Sequence, residues 1–223
     1  MSSNLKLNIK SLIFDMDGTL IDTLHDISYA VNIILKKYKF PIHSYDDYKK
    51  FIGKGIENLI NMALPHDFNG NYEKIYLEIK NKYESNMHSK TIIYEGIVDI
   101  LDFLFYKNIK MGVCTNKPHK YALKCVKTYF KNYDFKTIGA GDIFPLKPNP
   151  NGINEILNKF DVKPSNCLFV GDSDTDIFTA KNAKILSVGA LWGFRSKEEL
   201  EEAGADFLFD NPKHFLTFLK KII

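Results

Sequence analysis

Short apolar runs recur along the chain, and most of them stop at a cluster of polar residues. This pattern limits the possible folds more than any other feature. The runs are Leu12-Ile13-Phe14, Met111-Gly112-Val113-Cys114, Thr137-Ile138, Cys167-Leu168-Phe169-Val170, Ile185-Leu186-Ser187-Val188-Gly189 and Phe207-Leu208-Phe209. They are too continuously apolar for strands with one wet face, so they predict strands of a parallel sheet buried on both faces. Between them the apolar residues take helical spacing, as in Ile97, Ile100, Leu101 and Leu104, and again in Ile153, Ile156, Leu157 and Phe160. Strands alternating with helices predict an α/β fold with a doubly wound parallel sheet and right-handed crossovers.

One segment breaks the alternation. From about residue 22 to 88 the spacing is helical and no strand is evident. Leu24, Ile27, Val31, Ile34, Leu35 and Tyr38 form one stripe, with Asp22 or Thr23 as its N-cap. Ile56, Leu59, Ile60 and Ala63 form a second, and Tyr72, Ile75, Tyr76, Ile79 and Tyr83 a third. The expected organisation is an α/β core of residues 1–21 and 89–223, with 22–88 inserted as a small helical cap. Open α/β sheets bind ligands at the carboxyl ends of their strands. An insert that begins there sits over the site.

Bulk properties narrow the function. A chain of 223 residues holds one well-buried domain, or one domain with a small insert. Its 30 basic and 27 acidic side chains give a formal net charge of +3. That balance is too even for a basic stripe that binds nucleic acid, and it suits a small anionic substrate. There is no run of about 18 apolar residues to span a membrane. The first residues, MSSNLKLNIK, lack the apolar centre of a signal peptide. A soluble cytoplasmic protein is expected. Cys114, Cys125 and Cys167 are odd in number and lack metal-type spacing, which predicts reduced, buried thiols. The six histidines show no ligand spacing either.

The chemistry concentrates at the strand ends. Asp15-Met16-Asp17-Gly18-Thr19 comes directly after the first apolar run. Two carboxylates so placed can face one pocket, and Gly18 permits a tight turn. A chance D-x-D-G-T is expected in about one chain of this length in several hundred, so the motif alone is only suggestive. Thr115-Asn116 closes the second run with a hydroxyl and an amide suited to phosphoryl oxygens. Gly171-Asp172-Ser173-Asp174-Thr175-Asp176 closes a fourth and is dense in carboxylates. Carboxylates crowded at one edge repel, so a cation is expected there, and hard oxygen donors point to magnesium. Lys147 lies in the stiff loop Pro145-Leu146-Lys147-Pro148-Asn149-Pro150; by itself it reads as one solvated lysine among many.

Taken in order, these clusters resemble the four motifs of the haloacid dehalogenase superfamily. Asp15-x-Asp17-Gly18-Thr19 resembles the first, Thr115 the second, Lys147 the third and Gly171-Asp172-x-x-x-Asp176 the fourth, and residues 22–88 resemble a C1-type cap. Leu20-Ile21-Asp22-Thr23, Thr115-Asn116-Lys117-Pro118, Lys147-Pro148-x-Pro150, Gly193-Phe194-Arg195 and Ala203-Gly204-Ala205-Asp206 are similar to the phosphoglycolate phosphatase group. Glu95-Gly96 departs from the Pro-Gly usual there.

The resemblance implies a hydrolase of small phosphorylated metabolites that works through an aspartyl-phosphate. Asp15 would be the nucleophile and Asp17 the general acid and base. Mg2+ would be held by Asp15, Asp172 and the main chain of Asp17, with Asp176 behind them. Thr115, Asn116 and Lys147 would bind the phosphoryl group. The loop Phe51-Ile52-Gly53-Lys54-Gly55 is similar to a substrate-facing loop, with Gly53 and Lys54 as contacts for a carboxylate. Arg195 reads as a surface loop residue. The chain would act as a monomer or homodimer. Rival readings are a pyrophosphatase or a broad-range sugar phosphate or nucleotide phosphatase. A β-phosphoglucomutase-like isomerase is disfavoured by Thr19 and Ile27. A phosphonate hydrolase is disfavoured by the placement of Lys54. A non-catalytic binding protein is disfavoured by the complete motif set.

Overall fold

The computed structural model describes residues 7–141 and 144–223. The first six residues, assigned above to the core and to a leaderless start, lie outside the described residues. Six parallel strands form one sheet: β1 (Ser11–Phe14), β4 (Lys110–Pro118), β5 (Phe135–Ala140), β6 (Cys167–Gly171), β7 (Leu186–Ala190) and β8 (Phe207–Phe209). Their spatial order is β5-β4-β1-β6-β7-β8. The chain builds outward from β1 through β4 to β5, then crosses to the other side of β1 for β6, β7 and β8. The strand order therefore reverses at β1, and the crevice at such a reversal is where open sheets bind ligands.

Side-chain alternation explains why the runs are apolar throughout. Leu12 and Phe14 pack on one face of the sheet with Met111, Val113, Leu168 and Val170. Ile13 packs on the opposite face with Cys114, Cys167 and Phe169. Helices cover both faces: α5 (Ile97–Tyr106) and α10 (Pro212–Ile222) the first, α7 (Asn151–Phe160) and α8 (Asp174–Asn182) the second. All three cysteines are free and buried.

Four helices stand between the first and second core strands: α1 (Leu24–Lys37), α2 (Tyr45–Phe51), α3 (Ile56–Ala63) and α4 (Tyr72–Asn86). They share a core of their own, built on Val31, Leu35, Tyr48, Leu59, Ile60, Ile75 and Ile79. The three apolar stripes match α1, α3 and α4; α2 is not among them, and neither is a two-stranded ribbon. β2 (Ile21–Asp22) pairs antiparallel with β3 (Ile92–Ile93), Ile21 opposite Ile93, so the chain enters and leaves the helical insert through a two-stranded ribbon. Two-residue strands carry no readable period. The buried Asp26 carboxylate fixes the return segment by accepting from the main-chain amides of Lys90 and Thr91 and from the Thr91 hydroxyl. The remaining α-helices are α6 (His119–Tyr129) and α9 (Lys197–Glu202). No described helix is long and apolar enough to cross a membrane.

Candidate active site

Parallel register brings the polar clusters to one edge. Phe14 of β1 lies opposite Val113 of β4 and Val170 of β6, so the residues one or two positions further along each strand come together at the same end of the sheet. Asp15, Thr115 and Asp172 meet there, all buried. Carboxylate oxygens of Asp15, Asp172 and Asp176 lie within 4.8 Å of one another.

Each of these groups is held differently. Asp176 is the third residue of α8 and closes a capping box: its Oδ2 accepts from the Ser173 amide at 3.1 Å and the Ser173 hydroxyl at 2.6 Å. Its other oxygen then faces the site, where Lys147 donates to it at 2.6 Å. Asp172 accepts from the Thr19 hydroxyl at 3.0 Å and the Phe194 amide at 2.9 Å. Gly18 makes room for it. Its φ is +88°, and a Cβ there would fall on the Asp172 carboxylate.

Asp15 is the least satisfied member of this network. Lys147 Nζ lies 2.8 Å from its Oδ1, yet no hydrogen bond of good geometry reaches that buried oxygen. Three carboxylates thus face a single ammonium, which leaves an excess of negative charge. Burial, reinforced by the neighbouring carboxylates, lifts the Asp172 pKa from 3.8 to about 8. Burial lifts that of Asp15 to about 6, with Lys147 opposing. An unmatched buried oxygen inside an all-oxygen donor set fits a hard divalent cation. Among the described residues this is the one cluster of acidic, histidine or cysteine side chains with metal-site spacing.

Asp17 turns the other way. Its Oδ1 accepts from the Thr23 hydroxyl at 2.8 Å and from Lys117 Nζ at 2.9 Å, and Lys117 lies 3.1 Å from Oδ2. The sequence linked neither partner to Asp17. Thr23 does precede α1, but its side chain makes no cap bond and serves Asp17 instead. Lys117 lies two residues beyond Thr115 of the second motif, and that closeness was the available signal.

Three residues have partners that the sequence did not indicate. The Asn116 side chain is bonded to main-chain groups. Its Oδ1 accepts from the Lys147 amide at 2.7 Å, and its Nδ2 donates to the carbonyls of Gly53 and Lys147 at 2.8 and 3.2 Å. It ties the Lys147 loop to the 51–55 loop, and both hydrogens of its side-chain amide are engaged. Lys54 extends into solvent, with Nζ 3.8 Å from Asp174 Oδ2, whereas Gly53 and Gly55 line the cavity at the site. Arg195 is no loose surface residue. Its guanidinium reaches the carbonyls of Lys49 and Ile52 at the end of α2 and pairs with Glu199 at 3.1 Å. It joins the core to the helical insert.

A half-open cavity of about 70 Å³ lies between the sheet edge and helices α1, α3 and α4 with the loop before α3. Asp15, Asp17, Thr115 and Lys117 line one side, and Ile27, Val31, Ile52, Ile56, Leu59 and Tyr83 line the other. A small substrate fits, with its reacting end at the carboxylates.

The comparisons agree with this geometry. A family model of haloacid dehalogenase-like hydrolases matches residues 12–190. The phosphoglycolate phosphatase of Vibrio cholerae is 30% identical over 213 residues, covering 92% of this chain and 94% of its own. That of Vibrio parahaemolyticus is 29% identical over 220 residues, covering 94% and 95%. The crystal structure of a candidate phosphoglycolate phosphatase from Lactobacillus delbrueckii subsp. bulgaricus superposes with a TM-score of 0.85 at 28% identity, covering 95% of this chain and 98% of that one. A family match over most of the chain, on a sheet whose edge gathers Asp15, Asp172 and Asp176, shows that this protein belongs to the haloacid dehalogenase-like hydrolases and is a phosphatase.

Proposed function

We propose that the protein is a magnesium-dependent phosphatase of small phosphomonoesters, acting on 2-phosphoglycolate through an aspartyl-phosphate on Asp15. The observation that carries this reading is the buried Asp15 carboxylate, with one oxygen lacking a hydrogen bond and a lysine ammonium 2.8 Å away. The substrate assignment is supported by the small cavity and by the activity named for the Vibrio relatives.

Asp15 attacks phosphorus, and the bond from phosphorus to the leaving oxygen breaks. Asp17 gives that oxygen a proton, then takes one from the water that attacks the phosphorus of the intermediate. The phosphorus–Asp15 bond breaks and phosphate leaves. Thr115 and Lys147 stabilise the phosphoryl oxygens, and Asp176 holds Lys147 in place. A magnesium ion held by Asp15, Asp172 and the Asp17 carbonyl would supply the positive charge that lets an anionic nucleophile meet an anionic phosphate. Residues 22–88 act as a cap that excludes water, with the β2–β3 ribbon as its hinge. Every site residue comes from one chain, so a monomer suffices and a homodimer would carry two independent sites. The reduced cysteines suit the cytoplasm.

The direct test is a screen of small phosphorylated metabolites with magnesium, ranked by kcat/KM. 2-Phosphoglycolate is expected to lead. A lead by a sugar phosphate, a nucleotide or pyrophosphate would replace the substrate assignment.

Metal binding is expected to depend on pH. Asp15 and Asp172 have folded-state pKa values raised from 3.8 to about 6 and about 8. The metal-free fold therefore holds more protons than the unfolded chain, and its stability falls as pH rises through that window. A cation must displace those protons, so it binds more tightly at higher pH. Magnesium at fixed concentration is expected to raise Tm more at pH 8 than at pH 6. Equal shifts would remove these carboxylates from the metal site.

Lys54→Ala is expected to change kcat/KM for 2-phosphoglycolate by less than about fivefold, the scale of an exposed charge. A much larger loss would bring Lys54 back as a substrate contact.

A further inference from the structure

The cavity presents a recognition problem. Its wall from the helical insert is mostly apolar, with Ile27 and Val31 among its residues, and carries no charged side chain. A carboxylate carried there finds no cation on that wall, and a buried anion without a counter-charge is costly. Lys54 lies outside. Lys147 is engaged by Asp15 and Asp176 on the attacking side. Among the described residues lining the cavity, Lys117 is the one cation. Its side chain is 3% exposed, and its Nζ lies 5.0 Å from the Tyr83 ring centroid and against the Asp17 carboxylate.

We propose that Lys117 reads the second anion of the substrate, a carboxylate or second phosphate attached next to the leaving oxygen. This rests on the roles given above to Asp15 and Asp17 and refines which esters they serve. To reach the leaving oxygen, the Asp17 carboxyl has to turn away from Lys117. A buried cation that loses its partner is strongly destabilised. In a short substrate the second anion sits within a few bonds of the atom that Asp17 addresses, so it falls within reach of the vacated ammonium. The substrate's charge takes the place of Asp17, and the turn of Asp17 toward the reacting bond becomes favourable. An ester with an uncharged remainder offers no such exchange. It leaves Lys117 unpaired, or leaves Asp17 held back from the leaving oxygen. Discrimination of this kind comes from a buried polar group that the wrong substrate fails to satisfy.

The test compares kcat/KM for 2-phosphoglycolate, pyrophosphate and ethyl phosphate in the wild type, Lys117→Met and Lys117→Arg. Loss of one member of a buried charge pair costs binding on the order of a hundredfold or more. Lys117→Met is expected to lower kcat/KM for the preferred anionic substrate by about that factor, and for ethyl phosphate by under about tenfold. Lys117→Arg is expected to keep part of the preference. An equal loss on all three substrates would overturn the inference and leave Lys117 as a support for Asp17 alone. If the wild type prefers pyrophosphate and Lys117→Met abolishes that preference, the inference stands and the phosphoglycolate assignment falls. If the wild type prefers neither anion over ethyl phosphate, both fall. Should Lys117→Met fail to fold, Lys117→Gln gives the same comparison, with circular dichroism to confirm the fold.

Discussion

Asp15→Asn is expected to abolish turnover and to leave no phosphorylated enzyme. Asp15 leaves β1 at the point where the sheet order reverses, and its carboxylate is fixed among Lys147, Asp172 and Asp176. An amide is a poor nucleophile, so covalent catalysis is lost. The change also removes one negative charge from the cluster, and with it part of the attraction for the cation. The two losses separate experimentally. Magnesium binding measured by calorimetry is expected to weaken, whereas turnover is expected to vanish even at saturating metal. Substantial turnover at high magnesium would show that Asp15 is only a ligand.

Asp17→Asn is expected to slow the reaction by about 10²- to 10⁴-fold, the usual range for a lost general acid and base. Its side chain points to Thr23 and Lys117 and is not one of the three carboxylates of the acidic cluster, so metal affinity is expected to survive. The defect has a signature. Leaving groups that are themselves acidic depart without a proton, so aryl phosphates are expected to lose far less in the first half-reaction than alkyl phosphates. An equal defect for all leaving groups would take the proton-transfer role away from Asp17.

Both carboxylates could be placed from the sequence, because a motif at the end of an apolar run carries its position with it. The run Leu12-Ile13-Phe14 is buried on both faces, so it must be a central strand, and the residues after Phe14 must emerge at the sheet edge. The same logic placed Thr115 and Asp172. It failed where a side chain's partner is remote in sequence. Lys117 pairs with Asp17 across 100 positions, and its place two residues after Thr115 does not reveal that partner. Thr23 looks like a helix cap because a threonine before an amphipathic stripe usually is one. Asn116 has the right chemistry for a phosphate, but the Lys147 loop and the Gly53 carbonyl claim it first. Residue type sets what a side chain can do; the competing partners that decide what it does are set by tertiary structure.

Every proposed role depends on Asp15 carrying the phosphoryl group during turnover. Acid quenching of the enzyme mixed with 2-phosphoglycolate and magnesium, and then borohydride reduction, converts an aspartyl-phosphate to homoserine. Peptide mass spectrometry locates it. The mechanism predicts homoserine at position 15, more of it in Asp17→Asn if that variant slows breakdown more than formation, and none in Asp15→Asn. Homoserine at another position, or none at position 15 under conditions where half the enzyme is expected to be phosphorylated, would contradict it.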